Sequence, residues 1–258
     1  MHRRLPRSVL SRRAARLERF RVRFPDGAAT TVHVASYARD AFCPRVVALP
    51  EPLPLVRWCR QEAVGHALVG GFFQRPEYLP LGELWLGGRA GEFVPFLEPW
   101  GAGRSCLHVA GGNVGIAPRN EFPAKPPGDL LQAGPLLVRD GVAVVAGPDP
   151  EGFSAGAVQF DSDITDGRYP RAAIGLTDDR MLAVAVDGRN RQDAGMTLPE
   201  LAELLVALGA GAGLNLDGGG SASLVHDGRL RNRPREQHGL DLLEGRAVAT
   251  AIAFQPRS

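Results

Sequence analysis

The clearest alternation of apolar and polar positions opens the ordered part of the chain. "RFRVRF" (19–24) sets Phe20, Val22 and Phe24 against arginines, "PDG" turns, and "TTVHVAS" (30–36) returns, which predicts a β-hairpin. "RVVALP" (45–50) reads as a strand and "LPLVRWCRQEAV" (53–64) as an amphipathic helix. "HALVGGFF" (66–73) reads as a buried strand broken by Gly70 and Gly71. Residues 74–105 are rich in Gly and Pro with short strands such as "ELWLGG", and residues 117–130 carry four prolines and read as a long loop. That loop is the best candidate for a boundary, unless the following half completes the same domain.

The second half is more regular. "AAIGLTDDRMLAVAV" (172–186) is two strands around a "TDDR" turn. "TLPELAELLVALGAGAG" (197–213) is a helix with Thr197 as N-cap, Pro199 in the first turn and Glu200 at the capping-box position. Leu201, Leu204, Leu205 and Leu208 form its apolar stripe, and the glycines from Gly209 end it. A strand "LNL", a turn "DGGG", a strand "SASLV", a turn "HDGR" and a last strand "RAVATAIAF" (246–254) follow. Hairpins with interspersed helices predict an α+β fold: a mixed, largely antiparallel, curved sheet with a few packed helices, not a regular βαβ series. The expected organisation is a basic arm (1–18) followed by one domain (19–258).

Composition narrows the function classes. With 258 residues, 44% apolar and 22% charged, the chain reads as a globular protein with a sizeable core, and 32 Gly with 21 Pro imply many turns. The net charge of +2 hides eight arginines against one acid, Glu18, in the first 21 residues. This reads as a solvated arm. Basic and aromatic residues do not interleave downstream, so nucleic acid is not an expected partner. Arginines at positions 12, 13 and 16 interrupt any signal-peptide core, and no stretch approaches the length of a membrane span. Cys43, Cys59 and Cys106 are odd in number and widely spaced, so they read as reduced, buried thiols. The expected compartment is the cytoplasm; oligomeric state is not readable.

Candidate chemistry concentrates in "LNLDGGGSASLV" (214–225). It fails the serine-hydrolase elbow because Ser223 stands where the last Gly belongs. "GAGAG" passes from helix into strand, opposite to a dinucleotide fingerprint, and no P-loop lysine is present. "DSDITDGRYP" (161–170) resembles a calcium loop through Asp161, Asp163 and Thr165. Gly167 is one place late, however, and Ala172 fills the twelfth position, so a polar surface loop is the preferred reading and calcium stays a candidate. Six dispersed histidines without H-E-x-x-H argue against a zinc site, and His108 reads as a core histidine. What remains is Asn215 and Asp217 on one strand face, before three glycines whose backbone a ligand can approach. A tight hairpin capped by Asp217 is the competing reading. Three glycines exceed what a two-residue turn requires, and that excess favours a site.

These residues carry a resemblance. "RAAIG", the following hairpin, "VDGR", "GMTLPELA", a helix ending "LGA" and then "NLDGGGS" are similar, in order, to the pattern of the phosphodiester glycosidase family. "QAGPLLVRDG" (132–141) and "GRAVATAIAF" resemble further pieces, so the family-like core runs over 130–254. "LVGGFF" resembles the family's N-G-G-F-F, with Val69 in place of the asparagine. The resemblance implies hydrolysis of a sugar-1-phosphodiester to free sugar and a phosphomonoester. The alternative is a non-catalytic module binding sugar-phosphate or polysaccharide. It implies Asp217 as first and Asp187 as second choice of catalytic carboxylate, and Arg171, Arg189 and Arg246 as phosphate clamps. Gly218, Gly219, Gly220 and Ser221 would line the substrate with backbone N–H groups. Asn215, Gly70, Gly71, Gly134 and Thr197 complete the expected binding set. No cofactor is required.

Overall fold

A computed structural model describes residues 14–98, 100–145 and 167–257. Most of the basic arm, and Asp161, Asp163 and Thr165, lie outside the described residues. The first half supplies β1 (Ala15–Arg23), β2 (Ala29–Ala38), β3 (Phe42–Pro54), helix α1 (Leu55–Gln61), β4 (Ala67–Val69), β5 (Phe73–Gln74), β6 (Leu79–Pro80), β7 (Leu84–Leu86) and β8 (Arg89–Ala90). Then come β9 (Ser105–Ala110), β10 (Asn113–Pro118), β11 (Asp129–Gln132), β12 (Leu136–Arg139) and β13 (Val142–Ala143). The second half adds β14 (Arg171–Leu176), β15 (Arg180–Val186), helix α2 (Leu198–Ala207), β16 (Ala212–Asn215), β17 (Leu224–His226), β18 (Arg229–Leu230) and β19 (Ala247–Pro256).

The mixed, antiparallel character expected from the sequence is present, but not as one curved sheet. A seven-stranded sheet has the order β1-β2-β15-β14-β16-β12-β13; two five-stranded sheets are ordered β10-β9-β11-β7-β8 and β18-β17-β4-β19-β3; β5 and β6 form a ribbon. Hairpins supply β1–β2 and β14–β15, whereas pairs distant along the chain, such as β2–β15, β14–β16 and β3–β19, join the rest of the sheets. The hairpin register runs from Ala15 opposite Tyr37 to Arg23 opposite Ala29, so the first strand begins inside the segment expected to be the arm. The proline-rich loop leads into β11, which pairs with both β7 and β9 and so ties the segments on either side of it.

Alternation along the central strands decides how the layers stack. Ile174, Met181, Ala183 and Ala185 belong to one apolar cluster, shared with α1 and the β4–β17–β19 sheet. Their neighbours Ala173, Leu182, Val184 and Val186 belong to a second cluster, shared with α2. Successive side chains of a strand point to opposite faces, so the middle of the seven-stranded sheet is covered on both sides. Helix α2 keeps the predicted cap: the Thr197 hydroxyl accepts from the Glu200 amide at 3.2 Å, and the Glu200 carboxylate accepts from the Thr197 amide at 2.9 Å. It buries Leu198, Leu201, Ala202 and Leu205. A Cβ on Gly213 would stand 2.8 Å from Leu205, so this glycine lets the helix seat on β16. Each fully buried leucine is worth roughly 1.5–3 kcal/mol.

Candidate functional site

The strand β16 delivers the acid. Past its end the chain stays tethered: the Leu216 amide donates to Ala172 O at 2.9 Å, and the Asp217 amide donates to Gly70 O at 3.1 Å. Gly70 and Gly71 wrap Thr250, whose hydroxyl accepts from the Gly71 amide at 3.0 Å; a Cβ on Gly70 would lie 2.3 Å from that oxygen. On the other side Asn215 and Gly134 are reciprocal partners. The Asn215 side-chain amide donates to Gly134 O at 3.0 Å, and the Gly134 amide donates to Asn215 O at 3.1 Å. Asn215 Oδ1 is left buried without a partner. The structure thus brings Gly70, Gly71, Gly134, Asn215 and Asp217 together.

The three glycines serve a different purpose from a bare ligand cradle. The Gly218 amide donates to Asp217 Oδ1 at 2.8 Å, the Gly219 amide to Pro170 O at 2.9 Å, and the Ser221 amide to Gly218 O at 3.1 Å. Only the Gly220 amide lacks an internal partner among the described residues. The glycines instead admit side chains of the chain itself. The Arg189 guanidinium nitrogens lie 3.2 Å from where a Cβ on Gly219 would stand. Arg246 Nη2 and Glu236 Oε1 both lie 3.3 Å from the equivalent point on Gly220. Arg246 and Glu236 form a two-pronged ion pair.

The two carboxylates of this corner are tuned in opposite directions. Asp217 is 9% exposed, and burial pushes its carboxyl up to about 6, against opposing help from Ser221, the Gly218 amide, Arg246 and Arg75. Glu236 moves the other way, held below the usual range by its bond to Arg246 despite partial burial. Burial works against the Arg246 charge, but Glu236 and then Asp217 hold the guanidinium firmly protonated. Arg75 is exposed and acts on both carboxylates. The loop that carries it also presents Phe73 and Tyr78, stacked with ring centroids 5.0 Å apart.

The remaining expected residues spend their polar groups on the chain itself. Asp187 is 2% exposed and uses both oxygens internally: Oδ2 lies 3.1 Å from His33 Nε2, and Oδ1 accepts from the Arg233 amide at 2.7 Å. Arg171 is 1% exposed and donates to Met196 O at 2.9 Å and Gly167 O at 3.2 Å; burial pushes its guanidinium down to about 10. It therefore braces the floor beneath Tyr169 and Arg189, both of which it senses electrostatically. Thr197 spends its hydroxyl on the helix cap. Glu236, Arg75, Phe73 and Tyr78 escaped the sequence reading. Their signals, "RPREQHG" and "FFQRPEY", are short loop runs that only the folded chain brings to Arg246 and Asp217.

Fold and site together define an antiparallel-sheet protein that carries a buried acid beneath a cluster of arginines. The family model for phosphodiester glycosidases matches residues 63–255, and the chain belongs to that family. The match starts earlier than the 130–254 core expected from motifs and takes in β4 and the Gly70–Gly71 step. Among solved structures, the zebrafish N-acetylglucosamine-1-phosphodiester alpha-N-acetylglucosaminidase catalytic domain, auto-inhibited by its pro-peptide, is similar with a TM-score of 0.70 at 18% identity. The similarity covers 94% of this chain and 83% of that one. A hypothetical protein from Synechocystis is similar with a TM-score of 0.66 at 19% identity, covering 95% of this chain and 62% of that one. At such identities the likeness is one of fold, and this chain spans under two thirds of the Synechocystis protein. No curated protein matches.

Proposed function

We propose that the chain hydrolyses the glycosidic bond of a sugar-1-phosphodiester, releasing free sugar and a phosphomonoester. The observation that carries this reading is a buried carboxyl, Asp217, in the field of Arg246 and Arg75 and two residues before the Gly219 on which Arg189 lies. The bond between the anomeric carbon and the bridging oxygen breaks, and the electron pair leaves with the phosphate. Arg75, Arg189 and Arg246 stabilise that charge as it forms, so a strong general acid is unnecessary. Water supplies the new hydroxyl at the anomeric carbon, and Asp217, ionised above its pKa, accepts the water proton. Glu236 keeps Arg246 aimed over Gly220. Arg171 and Asp187 position this machinery from beneath, and Phe73 with Tyr78 offers an apolar wall for a sugar face. The cytoplasm remains the proposed compartment, and calcium at 161–165 a candidate.

The activity for which the zebrafish relative is named supports the substrate class, through the shared family. One observation favours a second reading, a module that binds the same ligand without turnover. Val69, standing where the family pattern has asparagine, is 0% exposed and pairs with Ala251 inside the core. The test is release of free sugar from a panel of sugar-1-phosphodiesters, nucleotide sugars included, by wild type and Asp217→Asn. Turnover by wild type alone supports the hydrolase; saturable binding without product by folded wild type supports the module.

A further inference from the structure

A second cluster of titratable residues lies at the far end of β4. The pairs Leu224–Leu68 and Val225–Ala67 of the β17–β4 ladder lead, one step on, to His226 opposite His66. Their ring centroids are 4.6 Å apart. Asp227 opens the turn into β18 with φ 51°, followed by Gly228 at 69°, and this conformation folds the carboxylate back over the two rings. Asp227 Oδ1 lies 3.7 Å from His66 Nε2, and Oδ2 lies 3.3 Å from His226 Nδ1. One ligand atom from each of the three residues falls within 4.8 Å of the others. The Gly228 amide donates to Gly65 O at 2.9 Å, which locks the turn to the start of β4.

The second observation is an unmet need. His226 is 6% exposed, and neither of its ring nitrogens has a hydrogen-bond partner; the approach to Asp227 is close but misdirected. The hydroxyl of Tyr37, whose ring centroid lies 5.3 Å from that of His66, is likewise buried and unpartnered. Buried polar groups without partners are rare and ask for an explanation.

We propose that His66, His226 and Asp227 bind one borderline divalent transition cation, with zinc the best fit and solvent completing its coordination. Two imidazoles and one carboxylate suit zinc, whereas calcium and magnesium demand oxygen donors throughout. Tetrahedral zinc at about 2.0–2.1 Å from each ligand brings ligand atoms to roughly 3.3 Å of one another, so the cluster closes by about an ångström or a little more. The exposed Asp227 side chain is free to make that movement. Ligation at His66 Nε2 places the proton on Nδ1 and gives up the long 3.4 Å contact from the Asp227 amide. Arg231, 3.9 Å from Asp227, is the cation displaced. Four residues of extended chain, about 13 Å, separate His66 from Gly70 at the Asp217 corner, so the cation stands apart from that site and the proposal does not depend on its chemistry. Bound there, it would fasten the β17–β18 turn to β4.

The test is calorimetric titration of tag-free, chelator-treated full-length protein with Zn²⁺, beside cobalt absorption spectra and thermal melts. Wild type should bind one equivalent saturably, raise its Tm with zinc, and show cobalt bands of nitrogen–oxygen ligation. Asp227→Asn keeps a residue that tolerates positive φ and should weaken binding about 10–100-fold or more. His66→Gln and His226→Gln should do the same without losing the fold. Absence of saturable binding in wild type, equal binding by Asp227→Asn, or a cobalt thiolate band would each overturn the assignment.

Discussion

Arg189 lies flat on Gly219, with both terminal guanidinium nitrogens 3.2 Å from the place a β-carbon would occupy. Gly219 also has φ 59°, a conformation that costs any other L-residue roughly 1–2 kcal/mol. Gly219→Ala should therefore lower Tm and displace Arg189, raising KM for the phosphodiester substrate. A melt and a Michaelis curve unchanged from wild type would mean that Arg189 is not held by this contact.

Asp217 predicts an inverted pH dependence of stability. Its carboxyl sits at about 6 in the folded protein against 3.8 for the ordinary group, because burial disfavours the charge. As pH rises the unfolded chain ionises first, so this group's stability is complete below about pH 4 and is lost between roughly 4 and 6. The loss is at most about 3 kcal/mol. Asp217→Asn should melt higher than wild type at pH 7 and lose that advantage at pH 4. A variant that melts lower at pH 7 would contradict the assigned burial.

Val69→Asn places an amide at a position with no exposure, in the core beside Ala251. An unpaired buried amide costs roughly 1–3 kcal/mol by protein mutational data. The expected result is a lower Tm with no gain in sugar release. A gain in turnover would return the asparagine to the catalytic set and favour the binding-module reading of the wild type.

Thr197→Ala removes the hydroxyl arm of the capping box, leaving the bond from the backbone amide of residue 197 to Glu200, and should cost about 1 kcal/mol, seen as a lower Tm that Thr197→Ser largely restores. A raised KM at unchanged Tm would instead assign the hydroxyl to substrate.

Local signals in the sequence served well where structure is local. The β1–β2 and β14–β15 hairpins, the capped helix from Thr197 and the break at Gly70–Gly71 all follow from spacing within a dozen residues. Asp217 and its glycines stood out because an acid before "GGG" exceeds the needs of a turn. Sheet order was not legible: the sequence marks 45–50 as a strand but cannot say that the Phe42–Pro54 strand built on it pairs with Ala247–Pro256. The same limit hid Glu236, which meets Arg246 over Gly220, Arg75, which acts on Asp217 from a separate loop, and His66 opposite His226, which only the β4–β17 register brings together. Asp187 looked like Asp217 in sequence, an acid at a strand end before glycine. His33 and the Arg233 amide, distant along the chain, consume its oxygens.

The central claim is that Asp217 exchanges the proton of glycosidic hydrolysis. Its most direct test is kcat/KM for free-sugar release from the best substrate of the panel, from pH 4 to 9, for wild type and Asp217→Asn. Predicted is a wild-type profile that falls tenfold per pH unit below about pH 6 and a variant slower by roughly 10²–10⁴ above pH 6, with no such limb, so that the gap narrows toward pH 4. A folded variant that keeps both the wild-type rate and the limb near pH 6 would contradict it.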